Sequence, residues 1–341
     1  MATLLAASLA TNAAAADLTG LPAGGSPTAP AEHRRPADQT FLTYPEWFLV
    51  FSPAEYAAFV KEKDPSDFPF LGHIGQFWES YRAVWRITRA RYPFNAGYHL
   101  MIVVIGVSTT VEYALRAVYE ALFGRFAERA RGQVFTAEDR YGAAVAQDYV
   151  DFIRVRPWYE YDFLSKLRGL WKCPSTGTGF IRKWERRWAL TSEYAAKALY
   201  GWLLGKMTKA TYEEPLPVTA VVLDRLPPPE ARRAELKVLE ERADGALITI
   251  PRYEPFLAHA LALAREGVAF REVAGNSDVI LVSALVPAGT AAPAGELLFR
   301  QRILTVPGVE RVALSVPISQ LAPTLVALDR SPSRVEHVFD F

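Results

Sequence analysis

The segments TVEYALRAVYEALFGR (residues 110–125) and TSEYAAKALYGWLLGK (residues 191–206) are related by a constant shift of 81 positions. The shift aligns Glu112 with Glu193 and Arg116 with Lys197. In each segment the glutamate precedes the basic residue by four positions, which places both side chains on one helix face. Small residues form a second stripe that suits close helix packing. The pattern predicts two amphipathic helices that form an internal repeat, either a duplicated helical hairpin or a chance similarity in an alanine-rich chain.

The composition predicts a folded protein with more than one core. The chain has 341 residues, of which 50% are hydrophobic and 22% charged, and its net charge is +1. A charge so close to neutral gives no electrostatic reason to expect nucleic-acid binding. Arginine outnumbers lysine 29 to 9, a bias that indicates a GC-rich bacterial source. The single cysteine cannot form an internal disulfide and is therefore uninformative about the redox compartment.

The aromatic residues divide the chain. All eight tryptophans lie between Trp47 and Trp202, and the chain becomes rich in valine, leucine and proline beyond residue 213. Such a shift is typical of a domain boundary, which we place near Pro215–Pro217. We therefore predict a signal or anchor remnant with a flexible linker over residues 1–39, an all-helical domain over 40–214 and an α+β domain over 215–341.

Local signals predict the helices of the first domain. Ser52, followed by Pro53 and Glu55, matches a capping box with proline at the first helical position. Thr136 with Asp139 gives a second, weaker capping signal. Apolar periodicity supplies the remaining helices. The predicted helices cover residues 52–63, 73–90, 98–129, 136–156, 157–171 and 180–209.

The second domain alternates short apolar runs with helical patterns. Residues 297–306 and 309–316 read as a hairpin turned by Pro307 and Gly308. The order of elements is that of a split βαβ unit, and it predicts a ferredoxin-like α+β sandwich with extra strands. This plan is similar to that of small ligand-sensing domains, although many functions share it. The predicted strands are 218–223, 247–250, 269–273, 279–286, the two of the hairpin, and 335–339; the predicted helices are 229–242, 255–265 and 319–328.

Two apolar stretches bear on localisation. Residues 1–16 resemble the later part of a secretory signal without its basic start, and residues 17–39 read as a linker. Residues 92–111 carry no formal charge, but Pro93, Asn95 and Gly97 interrupt the stretch. We expect this stretch to belong to a buried bundle helix, with a membrane span as the alternative. These features favour a protein of the cell envelope, periplasmic or membrane-tethered, with a cytoplasmic location as the alternative.

The repeated glutamates are the candidate catalytic residues. If a two-fold axis brings Glu112 and Glu193 together, the pKa of one carboxyl group would rise, as general acid–base catalysis requires. We predict no metal site, because the five histidines are scattered and no Glu-x-x-His spacing occurs. We predict no cofactor, because nucleophile elbows, phosphate loops and dinucleotide fingerprints are missing from the sequence.

Aromatic–acid clusters are the candidate ligand-binding residues. One precedes the first predicted helix, another opens the helix at 157, and the shared positions of the repeat supply further tyrosines. Such residues can line a pocket for a polar or cationic ligand, or they can simply pack the helices. The candidates are Tyr44, Glu46, Trp47, Tyr113, Tyr119, Trp158, Tyr161, Tyr194 and Tyr200. A further cluster, Trp184 and Trp188 among Arg182, Lys183, Arg186 and Arg187, predicts either a basic aromatic belt suited to an anionic membrane surface or an exposed helix start.

The sequence favours a non-enzymatic binding or interaction protein of the bacterial envelope. Its expected partners are a membrane surface or a small polar ligand, and nucleic acid is not among them. The alternative is a metal-independent enzyme that uses Glu112 or Glu193 as acid or base in an aromatic-lined pocket.

Overall fold

The computed structural model of the chain describes residues 28–131, 135–174, 179–211, 216–291 and 294–340. Within them, an N-terminal helical region is followed by two small antiparallel sheets. This agrees with the predicted helical and α+β layout. The predicted signal over residues 1–16 lies outside the described residues.

The helical region contains long helices joined by short connections. The predicted capping box of Thr136 and Asp139 is confirmed: each side chain accepts from the backbone amide of the other residue at the start of a helix. The helices are α1 (Gln39–Phe59), α2 (Phe70–Arg91), α3 (Ala96–Tyr119), α4 (Arg125–Arg131), α5 (Ala137–Ile153), α6 (Phe163–Leu170) and α7 (Phe180–Thr211). A π-helical turn, Glu120–Gly124, joins α3 to α4 without a break.

The predicted helix start at Ser52 is wrong. Helix α1 begins at Gln39 and continues through both Pro45 and Pro53. The Ser52 hydroxyl is buried and bonds to side chains of two other helices. Tertiary hydrogen bonds have therefore replaced the local capping interaction that the sequence offers.

Both repeat segments are helical, and they lie side by side in antiparallel helices. Glu112 of α3 pairs with Lys197 of α7, whereas Glu120 pairs with Arg186. Later positions on α3 thus meet earlier positions on α7. On another side of α7, Leu190 contacts Gly142 of α5. Helix α7 is therefore packed between α3 and α5.

The sheets follow one plan twice. The first has the order β2-β3-β1-β4 and the second the order β6-β7-β5-β8, with every pairing antiparallel. In chain order, a helix lies between the third and the fourth strand of each sheet. One hydrophobic core contains residues of both sheets and both helices. The strands are β1 (Val218–Leu223), β2 (Lys237–Arg242), β3 (Gly245–Pro251), β4 (Phe270–Val273), β5 (Val279–Pro287), β6 (Glu296–Arg302), β7 (Val309–Pro317) and β8 (Arg334–Val338); the helices are α8 (Glu254–Arg265) and α9 (Leu321–Arg330).

The sheets correct one prediction and confirm another. The charged helix expected over residues 229–242 is wrong, because this segment holds a short 3-10 turn and the edge strand β2, whose residues are all exposed. The strands of the predicted α+β domain divide into two four-stranded sheets. The hairpin is confirmed: β6 pairs with β7, and Gly308 in the turn has φ +83°.

The described residues cluster into two compact units. Unit 1 comprises the described residues within 46–78 and 97–213, and unit 2 those within 28–45, 79–96 and 214–340. Helices α1 and α2 contribute to both units. The linker prediction is wrong for residues 28–38, because the backbone amides of Thr28 and Ala29 donate to the Glu272 carboxylate and Ala29 is buried.

Candidate ligand cavity

Unit 1 encloses a cavity of about 470 Å³. Its walls come from α1, α3, α5, α6 and α7 and from the segment before α6. Most of the lining is apolar or aromatic, and a smaller polar part contains carboxylates and cations. A volume of this size, with a few polar groups among aromatic rings, is typical of a small-molecule pocket. The aromatic lining residues are Phe48, Tyr56, Tyr113, Phe135, Tyr149, Trp158, Tyr159, Phe163, Tyr194 and Tyr200.

Four ionisable side chains form a closed ring on the cavity wall. Arg116 binds Glu112, with the Nε and Oε1 atoms 3.4 Å apart, and also binds Glu193. Lys197 binds the same two carboxylates, at 3.2 Å from Glu112 and 2.8 Å from Glu193. We call these four residues the ion quartet. Charges alternate around it, so that every carboxylate touches two cations and the ring is neutral.

The quartet holds its carboxylates in the ionised form. Burial alone would raise the pKa of Glu193, but the Arg116 and Lys197 cations lower it to about 2. The pKa of Glu112 is also lowered, because the same cations outweigh burial and the neighbouring Glu193. The expectation that proximity raises one of these pKa values is therefore wrong. The two glutamates do come together, but through shared cations.

A second polar cluster lies at the same cavity. The Ser52 hydroxyl, which lines the cavity, is 2.9 Å from Nδ1 of His73 and 2.7 Å from the hydroxyl of Tyr113. On the other edge of the imidazole, Nε2 lies 3.6 Å from the Glu55 carboxylate. Burial raises the pKa of Tyr113 above its usual range. The phenol therefore stays protonated and can donate to Ser52 or to a ligand.

The structure brings most of the predicted site residues to the cavity. Aromatic rings from α3, α7 and the segment before α6 converge there with the two repeated glutamates. Tyr98 donates to Glu46 at 2.9 Å and fixes that carboxylate at the wall. The predicted residues that line the cavity are Glu46, Glu112, Tyr113, Trp158, Glu193, Tyr194 and Tyr200.

The other predicted residues lie elsewhere. Tyr44 belongs to unit 2, where its hydroxyl donates to Gln301 and its ring meets Phe299 edge to face. The remaining three are in unit 1, but each is engaged in packing or hydrogen bonding away from the cavity. Trp47 packs on Phe51, Tyr119 donates to Glu185, and Tyr161 donates to Asp148.

Sequence reasoning missed several residues of the site. Ser52 and His73 lie on different helices, and the sequence contains no motif that links them. Tyr56 and Tyr149 carried a weak signal, since both are tyrosines within helical segments, but nothing local showed which face they occupy. The ammonium of Lys197 lies 5.4 Å from the centre of the Tyr149 ring, so a cation–π contact links this ring to the ion quartet.

The predicted basic belt at the start of α7 is wrong, because its cations are buried, whereas the alternative of an exposed helix start is correct for the two tryptophans. Arg182 is 0% exposed and binds Asp64, Asp139 and Glu185 at 2.5, 2.9 and 3.2 Å. Arg186 and Arg187 are also buried. Carboxylates from other segments supply their partners, so the arginines point inward while the tryptophans beside them are exposed. We call this group of buried arginines and carboxylates the arginine cluster; it consists of Arg182, Arg186, Arg187, Asp64, Glu120, Glu138, Asp139 and Glu185.

Among the residues that the structure describes, no group of three or more histidine, cysteine, aspartate or glutamate side chains has the arrangement of a metal site. No family model, curated protein or solved structure matches the chain.

Proposed function

We propose that the protein is a non-enzymatic binding protein of the bacterial cell envelope that holds a small ligand in the cavity of unit 1. One observation carries this proposal: a cavity of about 470 Å³ combines aromatic walls with the ion quartet. The aromatic rings suit an apolar or planar body. The quartet and the Ser52 cluster suit a polar head that exchanges hydrogen bonds with fixed charges.

The state of the quartet favours binding over catalysis. Acid–base catalysis needs a group whose pKa lies near the working pH, whereas both glutamates have lowered pKa values. Preformed ion pairs cost little to reorganise and can orient a ligand. The enzyme hypothesis with Glu112 or Glu193 as acid or base remains the alternative. Glu112→Gln and Glu193→Gln test it, since loss of turnover in a substrate screen without loss of binding would favour the enzyme.

The test of the binding function uses a variant that fills the cavity. Ala146 lines the cavity, and Ala146→Phe would place a ring inside it. Ala58→Phe is the matched control, because Ala58 is exposed on α1. Full-length protein is purified from its native host, and bound small molecules are identified by native mass spectrometry and by extraction. We expect the wild type and Ala58→Phe to carry the same molecule and Ala146→Phe to lose it.

Each outcome of that experiment supports or contradicts the proposal. A molecule retained equally by all three proteins would place binding outside the cavity. An empty wild-type protein that also gains no thermal stability from host extracts would contradict the proposal, because a ligand at 100 times its Kd stabilises by about 2.7 kcal/mol. Fractionation of the host cells tests the envelope location separately, and a purely cytoplasmic protein would contradict it.

We also propose two finer features of the fold. The similar segments 110–125 and 191–206 are copies of one helical unit, an idea supported by the quartet, in which equivalent residues pair crosswise. Each sheet derives from a ferredoxin-like plan, as its strand order and antiparallel pairing suggest. Exchanging the two segments between positions tests the first idea, since copies should tolerate the exchange better than unrelated helices.

A further inference from the structure

Helices α3 and α7 expose an uncharged surface over their whole paired length. On α3 and the π-helical turn that follows it, the exposed residues from Leu100 to Phe123 are all uncharged, and on α7 the same holds from Phe180 to Leu203. Each stretch covers about 35 Å at 1.5 Å per residue. The large apolar side chains among them are Leu100, Val107, Val111, Leu115 and Val118 on α3, Leu122 and Phe123 on the π-helical turn, and Phe180, Ile181, Trp184, Trp188, Leu199, Trp202 and Leu203 on α7. We call this surface the apolar face.

The buried position predicted for α3 is wrong. The helical stretch Ala96–Ala130 is long and apolar enough to cross a membrane, yet only 22% of its most apolar window is buried. Leu115 is 67% exposed, and so is Leu199 on α7. Isolated exposed apolar residues need no explanation, but a continuous patch of this length marks an interaction surface.

The two exposed stripes lie on the same side of the helix pair. Tyr119 packs on Phe123 and stacks on Trp188, with ring centroids 5.6 Å apart in both cases. Phe123 and Trp188 thus flank a single ring, and both are exposed. Between these exposed stretches, the charged residues of α3 and α7 are buried or partly buried, and most of them belong to the quartet or the arginine cluster. At this end of the helix pair the two exposed stripes therefore meet.

The neighbouring helix α5 exposes charged residues instead. Helix α5 packs on α7 through Gly142 and Leu190, and its exposed residues include Arg140, Asp148 and Asp151. These charges lie alongside the middle of α7, since Tyr149 of the same helix is close to Lys197. A bundle that crossed a bilayer would place them at the depth of the acyl chains. One apolar and one charged side instead match a protein that lies in the membrane surface.

The ends of the apolar face suit lipid headgroups. Exposed Trp184 and Trp202 lie towards opposite ends of α7, and tryptophan prefers the boundary between acyl chains and headgroups. Exposed Arg125 and Arg129 follow α3, and exposed Lys206 follows Trp202, with its ammonium 4.3 Å from the centre of that ring. Cations at both ends of an apolar surface complement anionic headgroups.

We propose that the apolar face docks in the plane of a lipid bilayer, with α3 and α7 lying at the boundary between headgroups and acyl chains. The inference specifies the envelope association of the proposed function and does not depend on what the cavity binds. The cavity lies among the side chains behind this face, so a ligand that partitions into lipid could reach it from the membrane.

Spin labelling of the full chain in vesicles tests the proposal. Cys173→Ser provides a background without other cysteines, in which single cysteines replace one residue at a time. The labelled positions are Val107, Leu115, Leu122 and Leu199 on the apolar face, with Ala144 on the exposed side of α5 as the control. The vesicles contain phosphatidylethanolamine and phosphatidylglycerol. Collisions of each nitroxide with oxygen report lipid, and collisions with a water-soluble nickel complex report water.

We expect the labels at Val107, Leu115, Leu122 and Leu199 to collide with oxygen at one shared shallow depth, and the label at Ala144 to collide with the nickel complex. A steep change of depth from Val107 to Leu122 would overturn the proposal in favour of a spanning helix. Labels shielded from both reagents, with spin–spin broadening, would overturn it in favour of a second copy of the chain. Nickel access equal to that of Ala144 would overturn it in favour of a water-facing surface. None of these outcomes bears on the cavity, which Ala146→Phe tests separately.

Discussion

Replacing Arg182 by methionine should strongly destabilise unit 1. The guanidinium is completely buried and binds the carboxylates of Asp64, Asp139 and Glu185. Methionine fills much of the volume but removes the cation that these three carboxylates share. Breaking a buried ion pair by removing one partner costs about 3–5 kcal/mol, because an uncompensated charge stays buried. We expect a loss in this range.

The loss can be measured as a shift of the unfolding midpoint. One kcal/mol corresponds to about 2–4 °C for a unit of 150–250 residues, so Arg182→Met should lower the Tm by about 6–20 °C. Arg182→Lys keeps the charge but not the planar fork, and it should fall between the wild type and Arg182→Met. Arg140→Met is the matched control: Arg140 is exposed and donates to the Phe135 carbonyl, so its loss should change stability by less than about 0.5 kcal/mol.

A double variant identifies the cause. Adding Asp64→Asn to Arg182→Met removes one of the stranded charges, and we expect it to recover about 1–2 kcal/mol of the loss. The carboxamide oxygen that this substitution introduces can still accept from the Ser66 amide, as the Asp64 carboxylate does now. If Arg182→Met were no less stable than Arg140→Met, or if Asp64→Asn added to the loss, the cluster would not be a compensated charge network and the reasoning above would be refuted.

Other parts of the structure lead to three more predictions. Lys197→Glu should destabilise unit 1, because it leaves Arg116 as the single cation among three carboxylates; adding Glu112→Lys should recover part of the loss in thermal unfolding, because the ring becomes neutral again and positions 112 and 197 regain opposite charges. Gly106→Ala should lower the free energy of unfolding by about 1–3 kcal/mol in spite of the better helix propensity of alanine, because the new Cβ would clash with the Phe77 ring. Gly75→Ala, whose Cβ would meet open space, should leave that free energy unchanged or raise it, and thermal unfolding measures both variants. Burial raises the pKa of Asp340 to about 7, although Arg252 and Thr219 lower it. The folded state therefore binds this proton more tightly than the unfolded state, and the free energy of unfolding falls as the pH rises from about 4 to 7. Denaturation measured across that pH range should show a smaller fall for Asp340→Asn than for the wild type.

Local sequence signals predicted elements whose stability is local. The capping box at Thr136 and the hairpin around Gly308 formed as expected, because their hydrogen bonds join near neighbours. Ser52 failed as a cap because buried partners on α2 and α3 bind its hydroxyl. The helix predicted over residues 229–242 was wrong because residues 237–242 form strand β2, whose backbone pairs with β3. All six side chains of β2 are exposed, so their sequence has no apolar alternation that would indicate a strand.

The candidate site was predictable where the repeat supplied a face. Glu112 and Arg116 lie one turn apart on the same helix face, and both line the cavity, whereas Tyr119, one turn further on, lies away from it. The pKa of these glutamates was not predictable, because it depends on which cation of the opposite helix each carboxylate meets. For the same reason, Ser52 and His73 could not be paired in advance: their proximity exists only once α1 and α2 have packed together.

The mean hydropathy of α7 does not reveal its apolar face, because an average ignores which side of the helix each residue occupies. The helix carries as many charged residues as a surface helix, so its mean hydropathy hides the apolar face. The structure places those charges inside, where Arg182 and Arg186 meet carboxylates, and places tryptophan and leucine outside. In water this arrangement has two free-energy costs. Buried ion pairs lose their hydration, and exposed apolar surface remains in contact with water. Contact of the apolar face with lipid removes the second cost, and that asymmetry is the physical reason to expect α3 and α7 to lie against a membrane.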